Sequence, residues 1–173
     1  MSSAYYNLKS HYVYIFIKMK KKIYIDTSVI GGCFDQEFDE WSNQLMDEFI
    51  EGEKIAIISD ITLQELELAP EKVRKKIDEI PSDNIEFIIT DVEAEHLAKL
   101  YIAEEAITPK SYQDALHIAN ATIKMVHVLV SWNFKHIVNL DRIRKYNGVN
   151  LKNGFGILEI RTPREILSKQ EDE

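Results

Sequence analysis

Three acidic residues stand where their carboxylates can converge. Asp26 ends the apolar segment Ile23–Ile25, Glu65 lies about one helical turn after a second apolar segment, and Asp114 begins a long apolar helix. Carboxylates held within a few ångströms repel one another, so such a cluster needs a cation or raised pKa values. Oxygen ligands favour Mg²⁺ or Mn²⁺ over Zn²⁺. Such an ion polarises a phosphate and makes a water nucleophilic near neutral pH, so the expected chemistry is phosphate-ester hydrolysis.

Each acid also has a local structural interpretation. The segment Thr62-Leu63-Gln64-Glu65 matches a capping box, and Ser111-Tyr112-Gln113-Asp114 resembles one with the shorter Asp. Asp26 can form an Asx turn, and Ser28 is either a hydroxyl ligand or a helix cap. The case for chemistry therefore depends on all three acids meeting at one edge of a sheet.

Alternating strands and helices are predicted around these acids. The predicted strands are Ile23–Asp26, Ile55–Ser59, Ile85–Thr90, His127–Ser131 and Ile157–Ile160; the predicted helices are 42–51 with Ser42 as N-cap, 63–69, 71–80, 91–106, 111–125, one or two within 134–146, and one opened by Pro163. The alternation predicts an α/β protein with a parallel sheet covered by helices on both faces. Ligands of such sheets bind at the carboxyl ends of the strands, where the strand order reverses.

Length and charge limit the classes of function. The 173 residues suit one domain. The net charge of −8 argues against a protein that coats nucleic acid, but is compatible with a nuclease that has a local basic rim. The single cysteine, Cys33, cannot form an internal disulfide, so a cytoplasmic location is expected. It is interpreted as a buried apolar residue rather than a catalytic thiol.

Residues 1–18 are predicted to be an extension of a single domain that spans residues 19–173. The apolar segment His11–Ile17 is too short to span a bilayer and lacks the zones of a signal peptide, so no membrane association is expected. Met19 is either the natural start, or residues 1–18 form an added arm that packs on the domain.

Four segments resemble the motifs of PIN domains. Ile25-Asp26-Thr27-Ser28-Val29 is similar to their opening motif, Thr62-Leu63-Gln64-Glu65-Leu66 to the second, Asp114-Ala115-Leu116-His117-Ile118-Ala119 to the third, and Val128-Leu129-Val130-Ser131-Trp132-Asn133 to the fourth. The resemblance implies a three-layer α/β/α fold and an endoribonuclease that uses Mg²⁺ or Mn²⁺ held by Asp26, Glu65 and Asp114. Many bacterial members are VapC-like toxins, so an RNA substrate, an antitoxin partner and a homodimer are implied as well.

The fourth motif departs from the family pattern, which usually carries Asp where this chain has Asn133. Asn offers a carbonyl oxygen but no charge, so we expect one firmly held metal, with any second bound weakly or only with substrate. The departure also leaves open a non-catalytic module that binds RNA or protein. A phosphatase with an Asp-x-Asp nucleophile motif is disfavoured, because Ser28 stands two positions after Asp26.

Cationic and aromatic residues near the fourth strand are candidate RNA contacts. A phosphate-binding rim is predicted from Lys135, His136, Arg142 and Arg144, together with Lys145; a solvated helix face is the alternative. Trp132 either stacks on a base or packs against a neighbouring helix. His117 is interpreted as a histidine packed on a buried helix, although it lies one turn after Asp114.

Overall fold

A five-stranded parallel sheet forms the centre of the computed structural model, which describes residues 20–167. The strands are β1 (Lys21–Ile25), β2 (Lys54–Ser59), β3 (Ile85–Ile88), β4 (Val128–Val130) and β5 (Ile160–Arg161). Their order is β3-β2-β1-β4-β5, and each neighbouring pair is parallel. The chain moves outward from β1 to β3 and then returns to the other side of β1. The strand order therefore reverses between β1 and β4, which places a crevice at their carboxyl ends.

Helices separate the strands along the chain. They are α1 (Thr27–Gly32), α2 (Asp39–Ile50), α3 (Asp60–Glu67), α4 (Glu71–Arg74), α5 (Val92–Ala103), α6 (Tyr112–Ile123), α7 (Leu140–Lys152) and α8 (Pro163–Ile166), with short 3₁₀ turns at Lys75–Glu79, Ser82–Asn84 and Pro109–Ser111. The predicted α/β class with a parallel sheet is confirmed.

The side chains of β1 explain why both faces of the sheet are covered. Successive residues of a strand point to opposite faces. Ile23 and Ile25 enter a core completed by apolar side chains of α1 to α4, whereas Tyr24 enters a second core completed by α5 to α7. All three side chains are at most 1% exposed. The result is the predicted three-layer α/β/α arrangement.

Helix α6 is the most deeply buried helix of the described chain. Every residue from Ala115 to Thr122 is buried, because its small and apolar side chains allow neighbours to pack on several sides. This confirms the prediction that the 111–125 segment forms an apolar, buried helix. Its first turn carries Asp114 to the carboxyl edge of the sheet.

Two predicted helix caps are wrong. Helix α2 begins at Asp39 with Phe38 at its N-cap, and Ser42 is instead a buried side chain inside the helix. Helix α3 is capped by Ser59, whose hydroxyl accepts the N–H of Thr62 at 3.2 Å. Thr62 therefore does not form the predicted capping box.

Two other local predictions need correction. The segment 134–146 holds turns and the first half of α7, which begins at Leu140, rather than one or two short helices. The last strand begins at Ile160, not at Ile157.

The predictions for the N-terminus, residues 1–18 as an extension and Met19 as a start, lie outside the described residues. Between residues 20 and 167, no helix is long and apolar enough to cross a membrane.

Candidate active site

Asp26 lies at the switch point, directly after β1, and is the N-cap of α1. Its Oδ1 accepts the N–H groups of Ser28 at 3.1 Å and Val29 at 3.3 Å, and the hydroxyl of Ser28 at 2.5 Å. Its Oδ2 accepts the hydroxyl of Ser131, at the end of β4, at 2.6 Å. The helix-cap and active-site interpretations of Asp26 therefore apply to the same buried side chain, which is 4% exposed.

Burial raises the pKa of Asp26 because it removes water from the carboxylate. The charge of His117 and the hydroxyls of Ser131 and Ser28 act in the opposite direction but do not cancel the effect. The ionised carboxylate is therefore less stable here than in water, and added positive charge would stabilise it.

Two serines connect Asp26 to the loop after β4. The hydroxyl of Ser28 donates to Asp26 and accepts the N–H of Trp132 at 2.8 Å. The hydroxyl of Ser131 donates to Asp26 and accepts the N–H of Asn133 at 2.9 Å. These contacts fix the positions of Trp132 and Asn133. They also occupy the hydroxyl of Ser28, which was predicted as a ligand of metal or substrate.

Asp114 reaches the switch point from the first turn of α6 and contacts Asn133. Its Oδ1 accepts Nδ2 of Asn133 at 2.8 Å, while Oδ1 of Asn133 accepts the N–H of His136 at 3.0 Å. A backbone N–H must meet the amide oxygen, so the second contact fixes the orientation of the amide. The NH₂ group of Asn133, not its carbonyl oxygen, therefore faces Asp114.

The pKa of Asp114 is raised, first by burial and also by the negative charge of Asp26; His136, His117 and Ser111 lower it without cancelling the effect. The charge of Asp26 therefore disfavours ionisation of Asp114. A single cation between them would stabilise both.

Glu65 lies on α3 and is bound by protein groups at both oxygens. Oε2 accepts the hydroxyl of Thr27 at 2.5 Å, and Oε1 lies 3.3 Å from Nε2 of His117. Burial acts to raise the pKa of Glu65, but the hydrogen bond and charge of His117 and the hydroxyl of Thr27 outweigh it, so the pKa is lowered. Glu65 is ionised at neutral pH.

His117 is packed inside the protein, as predicted, with 2% of its surface exposed. Its Nδ1 lies 2.7 Å from the hydroxyl of Tyr24, which in turn lies 2.6 Å from the hydroxyl of Ser59. Burial disfavours a charged ring, but Tyr24 and the carboxylates of Glu65 and Asp26 outweigh burial and raise the pKa of His117 to about 10. His117 thus supplies the positive charge that faces Glu65.

The three predicted acids are brought to one edge of the sheet but do not form one closed ligand set. Within residues 20–167, no group of three or more His, Cys, Asp and Glu side chains is placed to hold a metal ion. Glu65 is engaged by His117, whereas Asp26 and Asp114 interact through their charges. Mg²⁺ keeps several waters and is usually held by one or two carboxylates, and the Asp26–Asp114 pair suits that mode of binding.

Several of the predicted rim residues are engaged with the protein. Arg142 donates to the carbonyl of Ala106 at 3.0 Å, and Lys145 donates to the carbonyl of Glu105 at 3.3 Å. Arg144 lies 3.8 Å from Asp141 in an exposed ion pair, which contributes little to stability. To bind a phosphate, Arg142 would have to give up its hydrogen bond to the carbonyl of Ala106. Lys135 is exposed and can reach a ligand without losing such a contact.

Among the predicted rim residues, His136 acts on one of the three acids, since its charge lowers the pKa of Asp114. Its carbonyl accepts the hydroxyl of Tyr146 at 2.6 Å, which anchors the loop. Its buried Nδ1 has no hydrogen-bond partner among the described residues.

Cys33 is a buried free thiol, as predicted. Burial raises its pKa to about 11, so the nucleophilic thiolate is disfavoured at neutral pH.

Comparison with known proteins supports the fold. No family model and no curated protein matches the sequence. The structure is similar to VapBC2 from Rickettsia felis, solved bound to a DNA fragment from its promoter: the TM-score is 0.51 at 15% identity, covering 82% of this chain and 98% of that chain. It is also similar to VapC20 from Mycobacterium tuberculosis, a toxin that cleaves the sarcin-ricin loop: the TM-score is 0.51 at 14% identity, covering 66% and 92%. The chain therefore has a PIN-domain, VapC-like fold.

Proposed function

We propose that the chain is a metal-dependent endoribonuclease. The observation that carries this proposal is the pair Asp26 and Asp114 at the switch point, two carboxylates whose pKa values are both raised and which repel each other. Such a pair favours a divalent cation. The fold is that of VapC20, which cleaves the sarcin-ricin loop, so a structured RNA is the first substrate to test.

Asp26 and Asp114 would hold a Mg²⁺ or Mn²⁺ ion, with Glu65 as the third carboxylate of the site. When bound, the ion polarises a phosphate oxygen and lowers the pKa of a water. His117 keeps Glu65 ionised, so Glu65 contributes negative charge to the site. Asn133 holds one oxygen of Asp114 in place. Trp132, Lys135, His136, Arg142 and Arg144 are proposed to contact the RNA.

Cleavage of a labelled structured RNA tests the proposal. Wild type, Asp26→Asn and Asp91→Asn are compared with Mg²⁺, with Mn²⁺ and with EDTA. Asp91 is a matched control because it is also a helix N-cap aspartate, but on the surface. We expect cleavage by wild type and Asp91→Asn only with metal, and none by Asp26→Asn. Equal cleavage by all three proteins would identify a contaminating nuclease and refute the proposal.

A finer proposal is that the chain is a VapC-like toxin that acts in the cytoplasm, forms a homodimer and is held inactive by an antitoxin. The similarity to VapBC2 and to the toxin VapC20 supports it. Induced expression should arrest growth, and co-expression of an adjacent reading frame should restore it. Growth arrest that persists with Asp26→Asn would separate toxicity from cleavage and contradict this proposal.

A binding module without catalysis is the second candidate. It is favoured by the two internal contacts that stabilise acids without a metal, Asn133 with Asp114 and His117 with Glu65. RNA binding without metal-dependent cleavage would identify this function.

A further inference from the structure

An aromatic cleft of about 490 Å³ opens beside the candidate active site, within the size range of small-ligand sites. Its lining includes Phe38, Trp41, Trp132 and Phe134, as well as Arg164. The rings of Phe38 and Trp132 are stacked, with centroids 4.5 Å apart and planes 24° apart. The ring centroids of Phe134 and Trp132 lie 6.0 Å apart, and the guanidinium carbon of Arg164 lies 5.3 Å from the ring centroid of Trp41.

The main chain joins this aromatic cleft to the acids. Ser131 donates to Asp26, Trp132 lines the cleft, and Asn133 donates to Asp114. Consecutive Cα atoms lie about 3.8 Å apart, so one residue step separates the cleft wall from each acid contact. The cleft wall and both acid contacts therefore lie within the three consecutive residues 131–133.

One wall of the aromatic cleft is fixed and another is accessible. The indole N–H of Trp132 donates to the buried hydroxyl of Ser42 at 2.9 Å, and the side chain is only 9% exposed. Phe134, in contrast, is 50% exposed. A flat ligand can therefore stack on the exposed ring of Phe134 without displacing Trp132, because the surrounding protein already holds the indole in place.

We propose that the aromatic cleft binds an unstacked nucleobase of an RNA whose phosphate lies at Asp26 and Asp114; this inference rests on the proposed function. Proteins recognise RNA loops by stacking splayed bases on aromatic side chains. Such stacking tolerates any base, because every base has a π face. The continuity of the cleft with the acids favours a base over a protein segment, since the ribose joins each base to the phosphate that the acids would attract through a metal.

Tryptophan fluorescence can report on this cleft, because Trp41 and Trp132 are the only two tryptophans of the chain and both line it. Adenosine 5′-monophosphate and ribose 5-phosphate serve as probes with Mg²⁺; neither has a phosphodiester to cleave, and only the first carries a base. We expect adenosine 5′-monophosphate to quench the fluorescence and to bind roughly 5- to 150-fold more tightly than ribose 5-phosphate.

Two variants test whether stacking causes this preference. Phe134→Ala should lose most of the preference for the nucleotide. Phe87→Ala should keep it, because Phe87 is a comparably exposed phenylalanine on edge strand β3, 58% exposed and outside the cleft. Equal affinity for both probes, or an unchanged preference in Phe134→Ala, would overturn the inference. Stronger quenching by an uncharged peptide with two phenylalanines would assign the cleft to a protein segment and also overturn it.

The nucleobase site and the proposed nuclease activity are refuted by different results. RNA cleavage that depends on Asp26, without any base preference, would leave the nuclease standing and refute the nucleobase site. Base preference without metal-dependent cleavage would support the nucleobase site and refute the nuclease.

Discussion

The side-chain nitrogen of Asn133 lies 2.8 Å from Oδ1 of Asp114, and this hydrogen bond stands where a carboxylate would otherwise face another carboxylate. The amide donates a hydrogen bond to this oxygen of Asp114 without a metal. The backbone N–H of His136 donates to the amide oxygen of Asn133 and so sets the orientation of the amide. The Asn133 amide therefore donates a hydrogen bond to Asp114 at a position where a second carboxylate would repel it.

Asn133→Asp should strengthen metal binding and make the free energy of unfolding depend on the bound metal. Two carboxylates at this distance repel unless a proton or cation lies between them. We expect a loss of about 1–3 kcal/mol in the free energy of unfolding in EDTA, the cost of an uncompensated buried polar group, and its recovery with Mg²⁺. Calorimetric titration with Mn²⁺ should show higher affinity than in wild type.

Asn139→Asp is the matched control, because Asn139 caps α7 through its side-chain oxygen and Asp serves equally well as a cap. It adds the same charge to the chain at a side chain that accepts the N–H of Arg142. Equal gains in metal affinity for both variants would assign the effect to net charge rather than to the site.

Asp26→Asn should stabilise the metal-free protein at neutral pH. The folded pKa of Asp26 is raised, so wild type loses stability as the pH rises from the ordinary value of 3.8 through the folded value. Asn does not ionise and avoids this loss, which is about 1.4 kcal/mol for each unit of pKa difference. Urea unfolding in EDTA from pH 3.5 to 7 should show a growing gap in favour of the variant.

Asp91→Asn should have the opposite sign. The hydrogen bond from Lys124, followed by the N–H of Ala94, lowers the pKa of this exposed carboxylate. Its ionised form stabilises the fold above its unfolded pKa, and the contribution is lost as the pH falls through the folded value. A stabilised Asp91→Asn, or a destabilised Asp26→Asn, would mean that charge burial does not govern these caps.

The positions of Asp26 and Asp114 could be predicted because both depend on local signals, an acid after an apolar strand and an acid at the start of an apolar helix. The contacts of Glu65 could not. The capping-box pattern describes only its neighbours in sequence, whereas its actual partner His117 lies 52 positions away. The helix begins at Asp60, so Glu65 lies in its second turn, and Ser59 rather than Thr62 caps it.

Ser42 shows the same limit. Its sequence context suits a helix N-cap, but the helix begins earlier and the hydroxyl accepts the indole N–H of Trp132, 90 positions away. Thr27 and Ser131 were missed as site residues for a related reason. A hydroxyl after a strand is common, and its role becomes visible only when the carboxylate that it contacts is in place.

His117→Gln should lower stability most at acidic pH. The folded pKa of His117 is raised to about 10, so its contribution is fully present below the unfolded value of 6.5 and is lost as the pH rises through the folded value. We expect a loss on the order of 1–3 kcal/mol at pH 6, since Tyr24 and Glu65 lose a charged partner. Urea unfolding should show the gap to wild type narrowing by pH 9.

His96→Gln is the control, since His96 is exposed on α5 and its replacement should change little. A gap for His117→Gln that stays constant from pH 6 to 9 would show that His117 acts only by packing.

Gly32→Ala should disturb the wall of the aromatic cleft. A Cβ at Gly32 would lie 2.5 Å from the hydroxyl of Ser42 and 2.9 Å from the indole nitrogen of Trp132, so the hydrogen bond between these two groups must shift. Overpacking of this kind costs about 1–3 kcal/mol, and we expect a lower melting temperature with altered tryptophan fluorescence. Gly31→Ala is the control in the same helix, because a Cβ there meets nothing within 4 Å and Ala is favoured over Gly in a helix by about 1 kcal/mol. Equal melting temperatures for the two variants would show that Trp132 is not held by close contact with Gly32.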